Sequence, residues 1–170
     1  EITDQMTIDT GFAYSADLVN ENKNHVLTYL KDKGYMLINS SEPFVLIDTL
    51  KSMVSIDLEF ETGKLYKISE VRTEKSGKGK DLIEDKLLHD LVSFKEGDDY
   101  NFYELQRSQI RLYRTNLFTT AVVSGVVSDT SANKVPILIS TDVGLLQEIS
   151  PEIIFNNRDN TSNLGLGAEY

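Results

Sequence analysis

Val26, Leu27 and Leu30 fall on one face at helical spacing, with Ser15 placed as an N-cap and Asp17 and Glu21 near the positive helix end. The pattern predicts a helix from Ala16 to Lys33, stopped at Gly34. The period then shortens. Pro43–Asp48 and Met53–Glu61 read as a strand pair, because Val54, Ile56, Leu58 and Phe60 alternate with Ser55, Asp57 and Glu59. Beyond Gly63 a strand is expected over Tyr66–Val71, and the polar run Thr73–Lys80 reads as a mobile loop. Asp81 and Glu84 have capping-box spacing and open a short helix through Leu87, Leu88 and Leu91. A longer helix covers Phe102–Asn116, with Phe102, Leu105 and Leu112 on one side and Ile110, Tyr113 and Leu117 beside them. Two strands follow, Thr119–Val127 and Val135–Val143. Pro136 belongs at a strand start or on an unpaired side, since it has no amide to donate.

Residues 64–144 therefore read β-α-α-β-β, and residues 1–62 supply a helix and the last two strands of the same order. The fold class is α+β, a tandem of two small domains. The two parts align as an internal repeat. Gly11 and Tyr14-Ser15 match Gly97 and Tyr100-Asn101 ahead of the longer helix, and Gly34-Tyr35 matches Leu117-Phe118 at its exit. The glycine permits a tight entry, and the exit aromatic anchors the first residue of the outgoing strand.

Composition narrows the function. The chain has 170 residues, 40% hydrophobic and 26% charged, so it is neither disordered nor of low complexity. A net charge of −10 argues against nucleic acid and against adhesion to anionic lipid. The chain contains no cysteine, which removes disulfides, thiolate metal sites and thiol nucleophiles. It opens at Glu1 without an initiator methionine or a leader, as an excerpt or a processed chain would.

Chemistry is sparse. His25 and His89 lie in helical segments outside metal-ligand spacing. The pairs Asp98-Asp99 and Glu84-Asp85 fit a loop and a helix start better than a cation site. Gly77-Lys78-Gly79-Lys80 lacks P-loop spacing, and Leu164-Gly165-Leu166-Gly167 lacks the third glycine of a dinucleotide site. Neither catalysis, nor a metal, nor a cofactor is expected.

The segment Phe94-Lys95-Glu96-Gly97-Asp98-Asp99-Tyr100-Asn101, followed by Leu105, Ser108, Leu112-Tyr113 and Leu117-Phe118, resembles the F-x-x-G-D-x-Y … L-x-x-S-x-x-x-L-Y-x-x-G-L-F stretch of POTRA domains. These polypeptide-transport-associated repeats precede the barrel of BamA/TamA-like outer-membrane proteins (the surface-antigen type). Gly11, Tyr14, Gly34 and Tyr35 are similar to the preceding repeat, and Gly63-x-x-Tyr66-x-Ile68-x-x-Val71 resembles the usual junction between repeats. Asn116 stands where the family commonly has Gly, and residues 1–10 are short for the usual first strand and helix.

The resemblance implies tandem β-α-α-β-β repeats, each a three-stranded mixed sheet packed by two helices, one over 1–63 (truncated at its start) and a second over 64–147, and the start of an outer-membrane β-barrel over 148–170. Leu164, Leu166, Ala168 and Tyr170 alternate there with Gly165, Gly167 and Glu169, the dyad pattern of a barrel strand. It further implies a location on the periplasmic side of the outer membrane and a non-enzymatic role in protein assembly or transport. The partners would be unfolded outer-membrane or secreted polypeptides, neighbouring POTRA repeats, the C-terminal barrel and accessory assembly proteins. In that topology the strand Thr119–Val127 lies on a sheet edge, where an extended client can add a strand. Ala121, Val123 and Gly125 alternate with Val122, Ser124 and Val126, and either face suits the core. In the first repeat the corresponding edge strand is Pro43–Asp48. The alternative is a soluble adaptor that binds one folded partner.

Overall fold

A computed structural model of the chain describes residues 4, 6–8, 11–130, 132–144, 150–158 and 161–169, the last two spans in their backbone alone. Helix α1 (Ala16–Asp32) begins with the Ser15 side chain accepting from the Leu18 amide at 3.4 Å, and it buries Val19, Val26 and Leu30. It also buries a polar residue, Asn22. Its side-chain oxygen accepts from the Thr7 amide at 2.6 Å and its amide donates to the Leu18 carbonyl at 2.8 Å, so the chain before the helix is pinned to it.

Strands β1 (Asn39–Ser40), β2 (Phe44–Asp48), β3 (Met53–Asp57) and β4 (Phe60–Glu61) follow. The expected strand Met53–Glu61 is thus two strands with different partners: β3 pairs with β2, and β4 pairs with β1, both antiparallel. The alternation is real but shallow, because Ile56, Leu58 and Phe60 are only half-buried. Val26, Leu30 and Ile38 form the small core of this half, with Met6, Leu27, Tyr29, Tyr35 and Phe60 packed around them.

Strand β5 (Lys67–Ser76) continues well past the expected end at Val71. The polar residues Thr73–Ser76 are held in strand by the partner, pairing in parallel from Thr73↔Ile139 to Ser76↔Asp142. The Ser76 hydroxyl donates to the Thr141 carbonyl at 3.3 Å and bonds the Asp142 carboxylate at 3.1 Å. Only 77–79 remain as a turn. Gly77 and Gly79 are required there because a Cβ at either would overlap the carbonyl oxygen of Val143 or Gly144.

Helix α2 (Asp85–Leu91) starts one turn later than the capping box predicts. Its N-cap is Glu84, which makes no side-chain cap bond, and Lys80–Leu82 forms a separate 3-10 turn. Lys75 reaches over from β5 instead, 2.8 Å from the Asp85 carboxylate, and donates to the Ile83 carbonyl at 2.6 Å. That ion pair holds the Asp85 carboxyl below its usual range. Helix α3 (Phe102–Tyr113) is capped by Asn101, whose side chain accepts from the Glu104 amide at 3.0 Å. Arg111 donates to the Leu91 carbonyl, and the Ser93 amide donates to the buried Ser108 hydroxyl, locking α2 to α3.

Strands β6 (Phe118–Gly125) and β7 (Lys134–Val143) complete a three-stranded mixed sheet in the order β5-β7-β6, with β5 parallel and β6 antiparallel to the central β7. Pro136 lies within this central strand. Its amide position faces β6, just past the last ladder pair Gly125↔Ile137, where the Pro136 carbonyl accepts from the Val126 amide and no ladder bond needs the missing donor. One face of β7, from Val135 through Ile137, Ile139 and Thr141 to Val143, is buried under the helices with Ile68, Leu88, Leu105 and Leu112. Each such aliphatic side chain contributes about 1.5–3 kcal/mol by leaving water.

The two helix exits share a backbone conformation. Gly34 has φ 99° and Asn116 φ 57°, so both α1 and α3 end through a left-handed residue. Their continuations differ. Phe118 is buried as the first residue of β6, as the repeat predicts, whereas Tyr35 is half-buried and precedes a turn in which the Met36 amide bonds the Gly34 carbonyl. That turn drives Met36 into the core of the second half.

After β7, strands β8 (Ser150–Arg158) and β9 (Thr161–Glu169) form an antiparallel hairpin, with Ile154 paired to Gly165. The sequence pattern anticipated only the later strand. The facing of Leu164–Glu169, and Tyr170 altogether, lie outside the described residues.

Candidate peptide-binding edge

A three-stranded sheet has two edges, and here they are unequal. The outer side of β5 is covered at its start by residues 97–100: the Ile68 amide donates to the Asp98 carbonyl at 2.8 Å, Gly97 to Ile68 at 2.9 Å and Tyr100 to Tyr66 at 2.9 Å. Asp98 also accepts from the Lys95 amide through its side chain, and Asp99 lies 2.6 Å from the Lys67 ammonium, so both carboxylates serve this loop. Farther along, β5 is crossed by the tie from Lys75 to Ile83 and Asp85.

The other edge is β6. It pairs with β7 from Thr120↔Asp142 to Gly125↔Ile137, and no strand of the described residues pairs on its far side. Burial decides which face packs. Ala121 and Val123 are buried, Val122 is 43% exposed, Ser124 is exposed and Gly125 is half-buried. Val126 lies just beyond the strand, its amide donating to the Pro136 carbonyl at 2.9 Å.

The Val123 amide shows which way the backbone points. It donates to the side-chain oxygen of Gln109, on α3, at 3.2 Å and therefore faces away from β7. In an antiparallel ladder the direction alternates, so Ala121, Val123 and Gly125 turn their amides and carbonyls to the open side. Val122, Ser124 and Val126 turn theirs to β7.

A groove of about 210 Å³ lies against the Val123–Gly125 end of this edge, lined by Met36 and Lys31 from the first half and by Tyr100, Phe102, Leu105 and Val127 from the second. Lys31 extends along it with its ammonium 5.6 Å from the centre of the Phe102 ring. Burial pushes the Tyr100 phenol up to about 12, with the Asp32 carboxylate adding to the shift. The Tyr100 phenol is therefore neutral at any physiological pH, and Lys31 brings a positive charge to the groove's lining.

Of the motif residues, Tyr100, Leu112 and Phe118 are buried, whereas Tyr66 and Leu117 are half-buried. Tyr14 and Tyr113 are respectively 44% and 40% exposed. Gly11 and Gly97 have positive φ at turns, and Gly63 has positive φ in the connection between β4 and β5. Sequence reasoning placed the edge strand but missed Gln109, Lys31 and Met36, which reach it only through the tertiary fold. His25 and His89 lie exposed on α1 and α2. Among the described residues, no cluster of His, Asp and Glu suits a metal ion, and no helix is long and apolar enough to cross a membrane.

No known family profile matches the sequence. Solved structures do. The crystal structure of POTRA domains 3–5 of BamA from Haemophilus influenzae superposes with a TM-score of 0.70 at 18% identity, over 83% of this chain and 54% of that one. BamA from Haemophilus ducreyi lacking POTRA domains 1–3 superposes at 0.68 and 17% identity, over 91% of this chain and 27% of that one. The fold is the POTRA fold, as the motif resemblance predicts. The chain spans about half the length of the first of these structures.

Proposed function

We propose that this chain is a non-enzymatic, periplasmic polypeptide-binding module of an outer-membrane protein assembly or translocation factor. An extended, unfolded client adds a strand to the outer edge of β6 and is guided toward a C-terminal barrel. The observation that carries this reading is the outward-facing backbone of Ala121, Val123 and Gly125, set beside an apolar groove. Backbone pairing supplies affinity without a fixed client sequence, and the groove accepts an apolar side chain from the incoming strand. In this reading residues 1–63 and 64–147 are successive repeats, and residues 148–170 begin the barrel. Neighbouring repeats, that barrel and accessory assembly proteins are its other partners.

A proline tests the edge. At Val123 the backbone donor it deletes is the outward one, and the bonds of Val122 and Ser124 to β7 remain. Val123→Pro, with its fold checked by circular dichroism, should abolish binding of a labelled extended peptide of alternating valine and threonine. Unchanged binding by the folded variant would refute the edge. Ala121→Pro repeats the test at a second outward position.

One observation favours the adaptor reading for the first half. The hairpin β2–β3 leaves Phe44, Leu46, Ile47 and Met53 between 57% and 62% exposed, an apolar surface suited to a folded partner. A partner held there would survive Val123→Pro.

A further inference from the structure

Resting on the reading of β6 as a receptor edge, we propose that Gln109 is a built-in competitor for it. Its side-chain oxygen occupies the place of the client carbonyl that would pair with Val123, and the arriving strand must displace it.

Val123 is 7% exposed, so its amide is poorly placed to be satisfied by bulk water while the edge is empty. Gln109 meets that need at 3.2 Å from α3, a different element. The side chain is half-buried and lies one turn beyond Leu105, which lines the groove. The amide of a glutamine has the same acceptor chemistry as a peptide carbonyl, so the contact imitates one rung of a ladder. Val123 has one hydrogen to donate, and the side-chain and client carbonyls compete for it.

Two consequences follow. The edge is protected from pairing with a second copy of this chain, a standing hazard of an open strand. The client is also held more weakly than the bare edge would hold it, which suits a receptor that must pass its cargo on.

The test uses the full chain and the same valine–threonine peptide, with binding read by fluorescence anisotropy. Gln109→Ala and the closer-shaped Gln109→Met both remove the amide oxygen, and each should bind the peptide about two- to tenfold more tightly. Without peptide, the Val123 amide should exchange its hydrogen faster in both variants. Gln109→Glu, a stronger acceptor when ionised, should bind more weakly at neutral pH and recover as pH falls through the carboxylate range. Equal affinity in wild type, Ala and Met variants would overturn the competitor and leave the receptor edge standing. Binding by none of them would overturn the receptor edge and the competitor with it.

Discussion

The Asp32 carboxylate accepts a hydrogen bond from the backbone amide of Tyr103 at 2.7 Å, so the last residue of α1 caps the first turn of α3. This bond joins the halves of the chain beside the groove, alongside the Tyr66 amide bonded to the Gly34 carbonyl at 3.0 Å and Met36 packed in the second core. The groove owes its shape to that junction, since one wall belongs to each half.

Removing the junction cap should therefore loosen both the fold and the groove. Asp32→Ala is expected to cost about 0.5–2 kcal/mol in urea unfolding, the range of a helix cap. Asp32→Asn, which keeps an acceptor oxygen, should recover much of that loss. An Asn variant as unstable as Ala would show that charge, not the hydrogen bond, does the holding.

The left-handed helix exits make opposite predictions for similar substitutions. Asn116→Gly should be neutral or slightly stabilising, because glycine adopts φ 57° without a Cβ penalty. Gly34→Ala should destabilise by about 1–2 kcal/mol from backbone strain alone. Its Cβ would also come 3.3 Å from Leu65 Cδ2 and 3.5 Å from the Tyr100 carbonyl oxygen, so the loss should exceed that of Asn116→Ala. Equal losses at the two sites would contradict this packing of the junction.

Tyr100 provides a pH signature. Its phenol titrates near 12 in the folded chain and near 10 when unfolded. The folded state thus keeps a proton that the unfolded state releases, and stability should fall as pH rises between those values. Below pH 10 this contribution is constant. An alkaline absorbance titration should show a late tyrosine step, and Tyr100→Phe should remove that step and flatten the loss of stability. A late step that survives Tyr100→Phe would assign the burial to another ring.

Much of the fold was legible because it is written locally. Ser15 and Asn101 cap the two long helices, Gly34 ends the first, and the alternation of Val135, Ile137, Ile139 and Val143 marks the central strand. The second half of β5 was not legible, because Thr73–Ser76 carry no apolar pattern and are strand only through their pairing with β7. The capping box at Asp81 misled, since a tie from Lys75 outcompetes it from another element. The edge strand could be located from element order, but its facing could not. Ala121-Val122-Val123 is apolar on both sides, and only α3 decides which side is core. Gln109, Lys31 and Met36 carried no signal at all, being ordinary residues in their own elements.

The central claim is that β6 receives an extended polypeptide along its outer side. Residue-resolved amide exchange by NMR, with and without the valine–threonine peptide, tests it most directly. The account predicts new protection at Ala121 and Gly125 and a smaller gain at Val123, whose amide Gln109 already holds, with Val122, Ser124 and the amides of β5 unchanged. Protection confined to β5 or to the β2–β3 hairpin, or no change anywhere, would contradict it.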